Sequence, residues 1–179
     1  MNYHNISYPD QNNGDGLRVV LWLSGCSHHC KGCQNPQTWN TNSGIPFDER
    51  AKEELFRELE NDYISGITFS GGDPLHENNL DEVLKLIYEI KDRFPYKTIW
   101  LYSGYRFEEC VLKLGELVHN HNHNRFRRQC ILKKCDVLVD GKYVDELRDI
   151  SLHWRGSSNQ RVIDVQQSLE KGEIILWSS

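Results

Sequence analysis

Three cysteines within eight residues constrain this chain more than any other feature. Cys26, Cys30 and Cys33 stand at Cys-x3-Cys-x2-Cys spacing in Gly25-Cys26-Ser27-His28-His29-Cys30-Lys31-Gly32-Cys33, just after the apolar run 17–23. Thiolates repel one another and are costly to desolvate, so a loop that gathers three of them is favourable when a cation or an iron–sulfur cluster neutralises the charge. A disulfide would use only two of the three. A tetrahedral zinc site would need a fourth ligand, which His28, His29 or the distant Cys130/Cys135 pair could supply. An Fe4S4 cluster held by three cysteines would leave one iron open to a ligand that is not protein. Spacing alone leaves both alternatives open.

The rest of the chain sets the context for those thiols. At 179 residues it reads as one domain, 1–179, long enough to bury a core without a metal staple. A formal charge of −5 and a pI near 5.9 argue against a nucleic-acid binder relying on a broad basic surface. The one basic cluster, Arg125-Phe126-Arg127-Arg128 with Lys133-Lys134, reads as a solvated face. No stretch approaches the ~20 apolar residues of a membrane-spanning helix, and Met1-Asn2-Tyr3-His4-Asn5 lacks the basic and apolar regions of a signal peptide. The expected location is therefore cytoplasmic, where thiols stay reduced and clustered cysteines bind metals or act in catalysis more often than they pair.

Along the chain, residues 1–16 are polar and end in Asn12-Asn13-Gly14-Asp15-Gly16, so they read as a turn-rich lead-in to a first strand at 17–23. After the cysteine loop, Pro36 biases Asn35 away from helix. Ala51, Leu55, Phe56 and Leu59 predict an amphipathic helix over 47–61, and Leu80, Val83, Leu84, Ile87 and Ile90 predict a second over 80–94, closed by Pro95. A third helix is expected from Phe107 through Val111, Leu114 and Leu117. Short β-branched runs place strands at 66–70, 98–102 and 135–140.

Strands alternating with helices imply parallel βαβ units and an α/β fold. In such folds ligands collect at the carboxyl ends of the strands. Four loops fall there: the cysteine loop, Gly71-Gly72-Asp73-Pro74, Ser103-Gly104-Tyr105 and Asp140-Gly141-Lys142. Glycines there let backbone approach a ligand closely, and Asp73 or Asp140 could receive an ammonium or a hydroxyl.

A strand, then Cys-x3-Cys-x2-Cys, then a second strand ending in Gly-Gly-Asp-Pro resembles the radical S-adenosylmethionine superfamily. The resemblance tightens to the activating enzymes of anaerobic ribonucleoside-triphosphate reductase through Thr38-Trp39-Asn40, Ser70-Gly71-Gly72-Asp73-Pro74-Leu75, Ser103-Gly104-Tyr105, Val139-Asp140-Gly141-Lys142-Tyr143 and Trp154-Arg155-Gly156-Ser157-Ser158-Asn159-Gln160. It implies an open partial (βα) barrel with mostly parallel strands and helices outside. It also implies that Cys26, Cys30 and Cys33 hold a 4Fe-4S cluster whose open iron takes the amino and carboxylate groups of S-adenosylmethionine. Gly32, Cys33, Gln34, Ser70, Gly71, Gly72, Asp73, Ser103 and Asp140 would contact that cofactor, Gly72 most closely. A bulky residue at Gly72 would then weaken cofactor binding and leave the cluster intact.

One electron through the cluster would give methionine and a 5′-deoxyadenosyl radical, and that radical would take a hydrogen atom from a glycine of the reductase. The expected partners are the glycyl-radical subunit of the reductase and, as electron donor, a flavodoxin or ferredoxin. Activation of another glycyl-radical enzyme, or a non-catalytic zinc-binding interaction module, are the alternatives.

Gln34 stands where these activases commonly carry tyrosine. The segment 118–129 reads as a surface insertion, with His119, His121 and His123 alternating with asparagine in a low-complexity loop, and 161–179 is a tail the resemblance covers poorly. Cys110, Cys130 and Cys135 read as structural thiols. Trp154 and Arg155 read either as a structural cap or as contacts for cofactor or reductase.

Overall fold

The computed structural model of the protein describes residues 1–112 and 123–178. Seven strands form one open sheet: β1 (Asn2–Asp10), β2 (Leu17–Leu23), β3 (Ile45–Pro46), β4 (Ile64–Gly71), β5 (Thr98–Tyr102), β6 (Val137–Asp140) and β7 (Arg161–Asp164), in the order β3-β1-β2-β4-β5-β6-β7. The four central strands, β2, β4, β5 and β6, are parallel, and β1, β3 and β7 join antiparallel at the flanks. The expected α/β architecture of a partial barrel is thus present, with its parallel strands in chain order.

Side chains alternate along each strand with the period of two that a pleated backbone imposes. Val19, Leu21 and Leu23, Ile67 and Phe69, Ile99 and Leu101, and Leu138 all turn to one face. Against that face lie α1 (Glu49–Leu59), through Ala51, Leu55, Phe56 and Leu59, and α2 (Leu80–Arg93), through Leu80, Val83, Leu86, Ile87 and Ile90. Asp48 starts α1 by accepting the Ala51 N–H at 2.9 Å, leaving that donor satisfied. The intervening residues, among them Arg18, Trp22, Thr68, Ser70, Trp100, Tyr102, Val137 and Val139, face the other side. There Trp100, Val137, Val139 and Val162 form a second apolar cluster with Tyr102, Trp154 and Trp177 against it.

Three expectations need correction. Residues 2–10 are strand β1, paired with β2 from Tyr3↔Leu23 to Asp10↔Arg18; only Tyr3 and Ile6 are buried, so its apolar signal is too sparse to read. The third helix, α3, is a single turn, Phe107–Cys110. Val111 is extended and its carbonyl accepts Arg125 Nη2 at 2.6 Å; Leu114 and Leu117 lie outside the described residues. From His123 the segment expected as a surface loop is helix α4 (His123–Leu132), packed on α2 and α3; His119 and His121 fall outside the described residues. After Arg161 the chain forms β7 and α5 (Val165–Lys171). Among the described residues no helix is long and apolar enough to cross a membrane.

Arg18 holds the lower half of the inner face. It is fully buried, and burial lowers its pKa to about 10. Its guanidinium donates to Thr68 Oγ1 at 2.6 Å, Ile67 O at 2.7 Å, and Thr98 Oγ1, Thr98 O and Asp15 O at 3.0 Å, while its Cζ sits 5.3 Å from the Trp100 ring centroid. These contacts pin β2, β4 and β5 to the turn before β2. Arg18→Ala leaves several buried acceptors unmet and is expected to cost about 2–4 kcal/mol, read as a lower urea midpoint at unchanged slope. A loss within about 0.5 kcal/mol would show that Arg18 is not structural.

Candidate functional site

The carboxyl ends of β2, β4, β5 and β6 open on one pocket of about 340 Å³. The cysteine loop leaves β2 here. Gly25 N–H donates to Thr38 O at 2.7 Å and Cys26 N–H to Trp39 O at 3.0 Å, so the turn that Pro36 opens clamps the start of the loop. Cys33 N–H returns to Cys30 O at 3.1 Å, and Asn35 N–H points at Cys33 Sγ at 3.4 Å. All three thiols are half-buried and line the pocket wall. Burial pushes the Cys26 thiol up to about 11, against the lowering influence of the His28 and His29 backbone N–H groups, and burial raises Cys30 as well. Burial by itself thus disfavours the thiolates, and a bound cation reverses that balance.

Asp73 joins three of the four loops. Its carboxylate, 2% exposed, accepts the Leu75 N–H at 2.8 Å, Ser103 Oγ at 2.9 and 3.0 Å, the Gly104 N–H at 3.0 Å and His28 Nε2 at 2.8 Å. An ionised carboxylate can only accept, so Nε2 is the protonated ring nitrogen of His28. Asn79 adds a second tie: its side-chain amide donates to Ser24 O at 2.8 Å and Asp73 O at 3.0 Å, joining the cysteine loop to the β4 loop. The backbones also meet directly, through Gly72 N–H to Leu23 O and Asp73 N–H to Gly25 O, both 2.8 Å.

Two glycines make this approach possible. A Cβ on Gly72 would stand 2.7 Å from the Gly25 carbonyl oxygen and 2.9 Å from that of Leu23; one on Gly104 would stand 2.3 Å from the His28 ring. Gly72 thus governs the seating of the cysteine loop as well as the pocket floor. The His28 ring continues outward against Tyr105, 4.6 Å between centroids, and Arg128 of α4 sits 3.8 Å from the Tyr105 centroid while its Nε donates to Leu75 O at 2.9 Å. Arg128 therefore supports the site and is no part of a merely solvated basic face.

Of the residues singled out from sequence, Cys26, Cys30, Cys33, Gln34, Ser70, Gly71, Gly72, Asp73 and Ser103 line the pocket. Two do not. Gly32 lies in the turn behind Cys33, against Asp145, and Asp140 is buried facing Arg161 (2.9 and 2.5 Å) and the Phe107 N–H (2.8 Å). Arg161 also grips Glu108 at 2.9 and 2.8 Å and holds that carboxyl down to about 2. Asp140 therefore fastens β6 to β7 and α3, and it has no free oxygen to offer a ligand. Asp73 likewise has its lone pairs filled from within the protein.

Sequence reasoning missed Trp22 and Tyr102, which look like ordinary strand residues until the face they occupy is known. Trp154, Arg155 and Tyr102 each bring to the pocket wall a buried polar atom, Nε1, Nε and the hydroxyl respectively, that has no partner among the described residues. Three thiols beside unmet hydrogen-bonding groups and a floor of two glycines fit a cluster with a polar organic ligand beside it. The zinc alternative fares worse. His28 is committed to Asp73, His29 stacks on Trp39 at 4.8 Å, and the buried Cys135 thiol, raised by desolvation, donates to Ile131 O at 3.2 Å.

Known proteins resemble the chain over most of its length. A family model described as a 4Fe-4S single cluster domain matches residues 12–163. The anaerobic ribonucleoside-triphosphate reductase-activating protein of Escherichia coli strain K12 is 42% identical over 164 residues, covering 90% of this chain and 97% of its own. The protein of the same name in Enterobacteria phage T4 is 43% identical over 162 residues, 90% of this chain and 93% of its own, and that of Vibrio cholerae is 41% identical over 162 residues, 89% and 96%.

The expectation that Gly72 affects only the cofactor is replaced by one that reaches the thiols. Gly72→Ala should lower the iron bound per chain after anaerobic reconstitution by at least half, together with cofactor binding. Full iron loading with weakened cofactor binding alone would restore the narrower role.

Proposed function

The chain belongs to the 4Fe-4S single cluster domain family and, within it, to the anaerobic ribonucleoside-triphosphate reductase-activating proteins, and we propose that it installs the glycyl radical of such a reductase. The observation that carries this reading is the meeting of the three-cysteine loop and the diglycine end of β4 in one pocket, fastened by Asp73. When bound, a 4Fe-4S cluster and S-adenosylmethionine supply one-electron reductive cleavage of the sulfonium and, from it, removal of a hydrogen atom from a glycine of the reductase.

The protein's own groups hold and shield. Cys26, Cys30 and Cys33 would ligate the cluster, and the Asn35 N–H beside Cys33 Sγ would steady the charge on that thiolate. Ser70, Gly71 and Gly72 would form the floor under the cofactor. The unmet donors of Tyr102, Trp154 and Arg155 would hydrogen-bond its polar groups, and Trp22 and Leu152 would exclude water beside it. Gln34 offers an amide where an aromatic ring is common in such activases. Asp73, its oxygens already filled, offers no general base, and hydrogen-atom transfer requires none. A flavodoxin or ferredoxin is the electron donor in this reading, the cytoplasm its location, and residues 1–179 act as one domain.

Electron paramagnetic resonance tests the proposal. Reconstituted protein, S-adenosylmethionine, a reductant and the matching reductase should together give a glycyl-radical doublet on the reductase, and omission of any one should abolish it. Cys26→Ser, Cys30→Ser or Cys33→Ser should each lose the cluster signal and all cofactor cleavage, because a neutral alcohol replaces a thiolate. A cofactor-sensitive cluster with no glycyl radical would point to another substrate, and full activity in any serine variant would overturn the ligand assignment.

A further inference from the structure

The rim loops do not complete the pocket by themselves. Trp154 stands in its wall with a buried, unpartnered indole N–H and a backbone φ of 61°, a left-handed conformation that bulky residues rarely adopt. Its ring meets Trp100 edge-on at 5.8 Å and 77°, and Trp100 meets Trp177 edge-on at 5.8 Å and 73°. Trp177 lies beyond the segment that the family model matches.

The tail that carries Trp177 is built into the sheet. Gly172 closes α5, and the Ile175 N–H then donates to Ser168 Oγ at 2.9 Å. The Asp164 N–H donates to Ile175 O at 2.9 Å, Leu176 bridges Ile163 in antiparallel fashion, and the Trp177 N–H donates to Val162 O at 2.8 Å. The tail thus pairs with the outer edge of β7 and lays Trp177 across the inner face. There its indole N–H donates to Asp15 Oδ2 at 2.6 Å, in the turn just before β2. Trp177 thereby ties the tail to the approach to the first parallel strand.

We propose that Trp177 is a positioning residue for the cofactor pocket: it backs Trp100, Trp100 backs Trp154, and the stack holds the Trp154 donor where it meets a polar group of the bound nucleoside sulfonium. The identity of that ligand rests on the function proposed above. The stacking is independent of it. An edge-to-face aromatic pair resists sliding more than an aliphatic contact of equal area, so replacing Trp177 loosens Trp154 without emptying the apolar cluster.

The experiment uses the full chain, reconstituted anaerobically, with Trp177→Leu and Trp177→Phe beside the wild type. S-adenosylmethionine is titrated against the cluster's paramagnetic resonance signal, iron content is counted, and the tryptophan exciton couplet is recorded by circular dichroism. Trp177→Leu should keep its iron, lose the part of the couplet that the Trp100–Trp177 pair gives, and need about tenfold more S-adenosylmethionine for half-saturation. Trp177→Phe, which keeps an aromatic edge, should recover most of that affinity. Wild-type affinity in Trp177→Leu would overturn the proposal. If Trp177→Leu fails to load iron, Trp177→Phe decides: full loading with a shifted half-saturation supports positioning, and equal loss of iron with unchanged affinity per loaded cluster makes the tail a structural brace only. A wild-type cluster indifferent to S-adenosylmethionine would instead remove the function proposed above, and the proposed ligand with it.

Discussion

A carboxylate withdrawn from water is costly unless its lone pairs are met, and Asp73 meets that requirement by drawing donors from three separate loops. His28 arrives from the cysteine loop, Ser103 and Gly104 from the end of β5, and Leu75 from the turn that follows Asp73 itself. Release of any one would leave part of a buried charge unpaired, so the three loops are seated together. The close backbone approach at Gly72, and the passage of the His28 ring over Gly104, follow from this arrangement. The thiols then face the pocket because the loop that bears them is held at Gly25 and Cys26 by the Thr38 and Trp39 carbonyls and at His28 by Asp73.

The sheet divides its labour by the pleat. One set of alternate residues is aliphatic and packs under α1 and α2, and the burial of those side chains supplies most of the stabilisation, at roughly 25 cal/mol per Å² of apolar surface. The other set is mixed. Near the amino ends of the strands it carries Arg18 and Trp100, and near the carboxyl ends Trp22, Ser70 and Tyr102. Cofactor chemistry needs a polar, water-poor recess, and the inner face provides one without exposing the aliphatic core.

Much of this was legible in the sequence because it rests on period and punctuation. The parallel strands, the two long helices and the four rim loops each carry a strong local pattern, and Cys-x3-Cys-x2-Cys announces its own chemistry. Strand β1 was hidden because an edge strand buries few side chains, Tyr3 and Ile6 in this case. Helix α4 was hidden by a polar, His- and Asn-rich start that mimics a loop. The partners of Asp73 are hidden for a different reason: a carboxylate beside a diglycine looks like a ligand for cofactor, and nothing local in the sequence tells that donors from His28, Ser103, Gly104 and Leu75 fill its oxygens at the pocket wall. The partner of Asp140 is hidden in the same way, since Arg161 lies 21 residues further along the chain. Long-range polar partners leave no periodic trace, and neither does a tail that returns to the first turn.

The direct test of the account is the iron content and reduced-state paramagnetic resonance of Asp73→Ala after anaerobic reconstitution, with and without S-adenosylmethionine. If Asp73 seats the cysteine loop, the variant binds markedly less iron, and whatever cluster remains no longer responds to the cofactor. A fully loaded cluster with an unchanged cofactor response would contradict the central claim, because the thiols would then hold their places without the carboxylate.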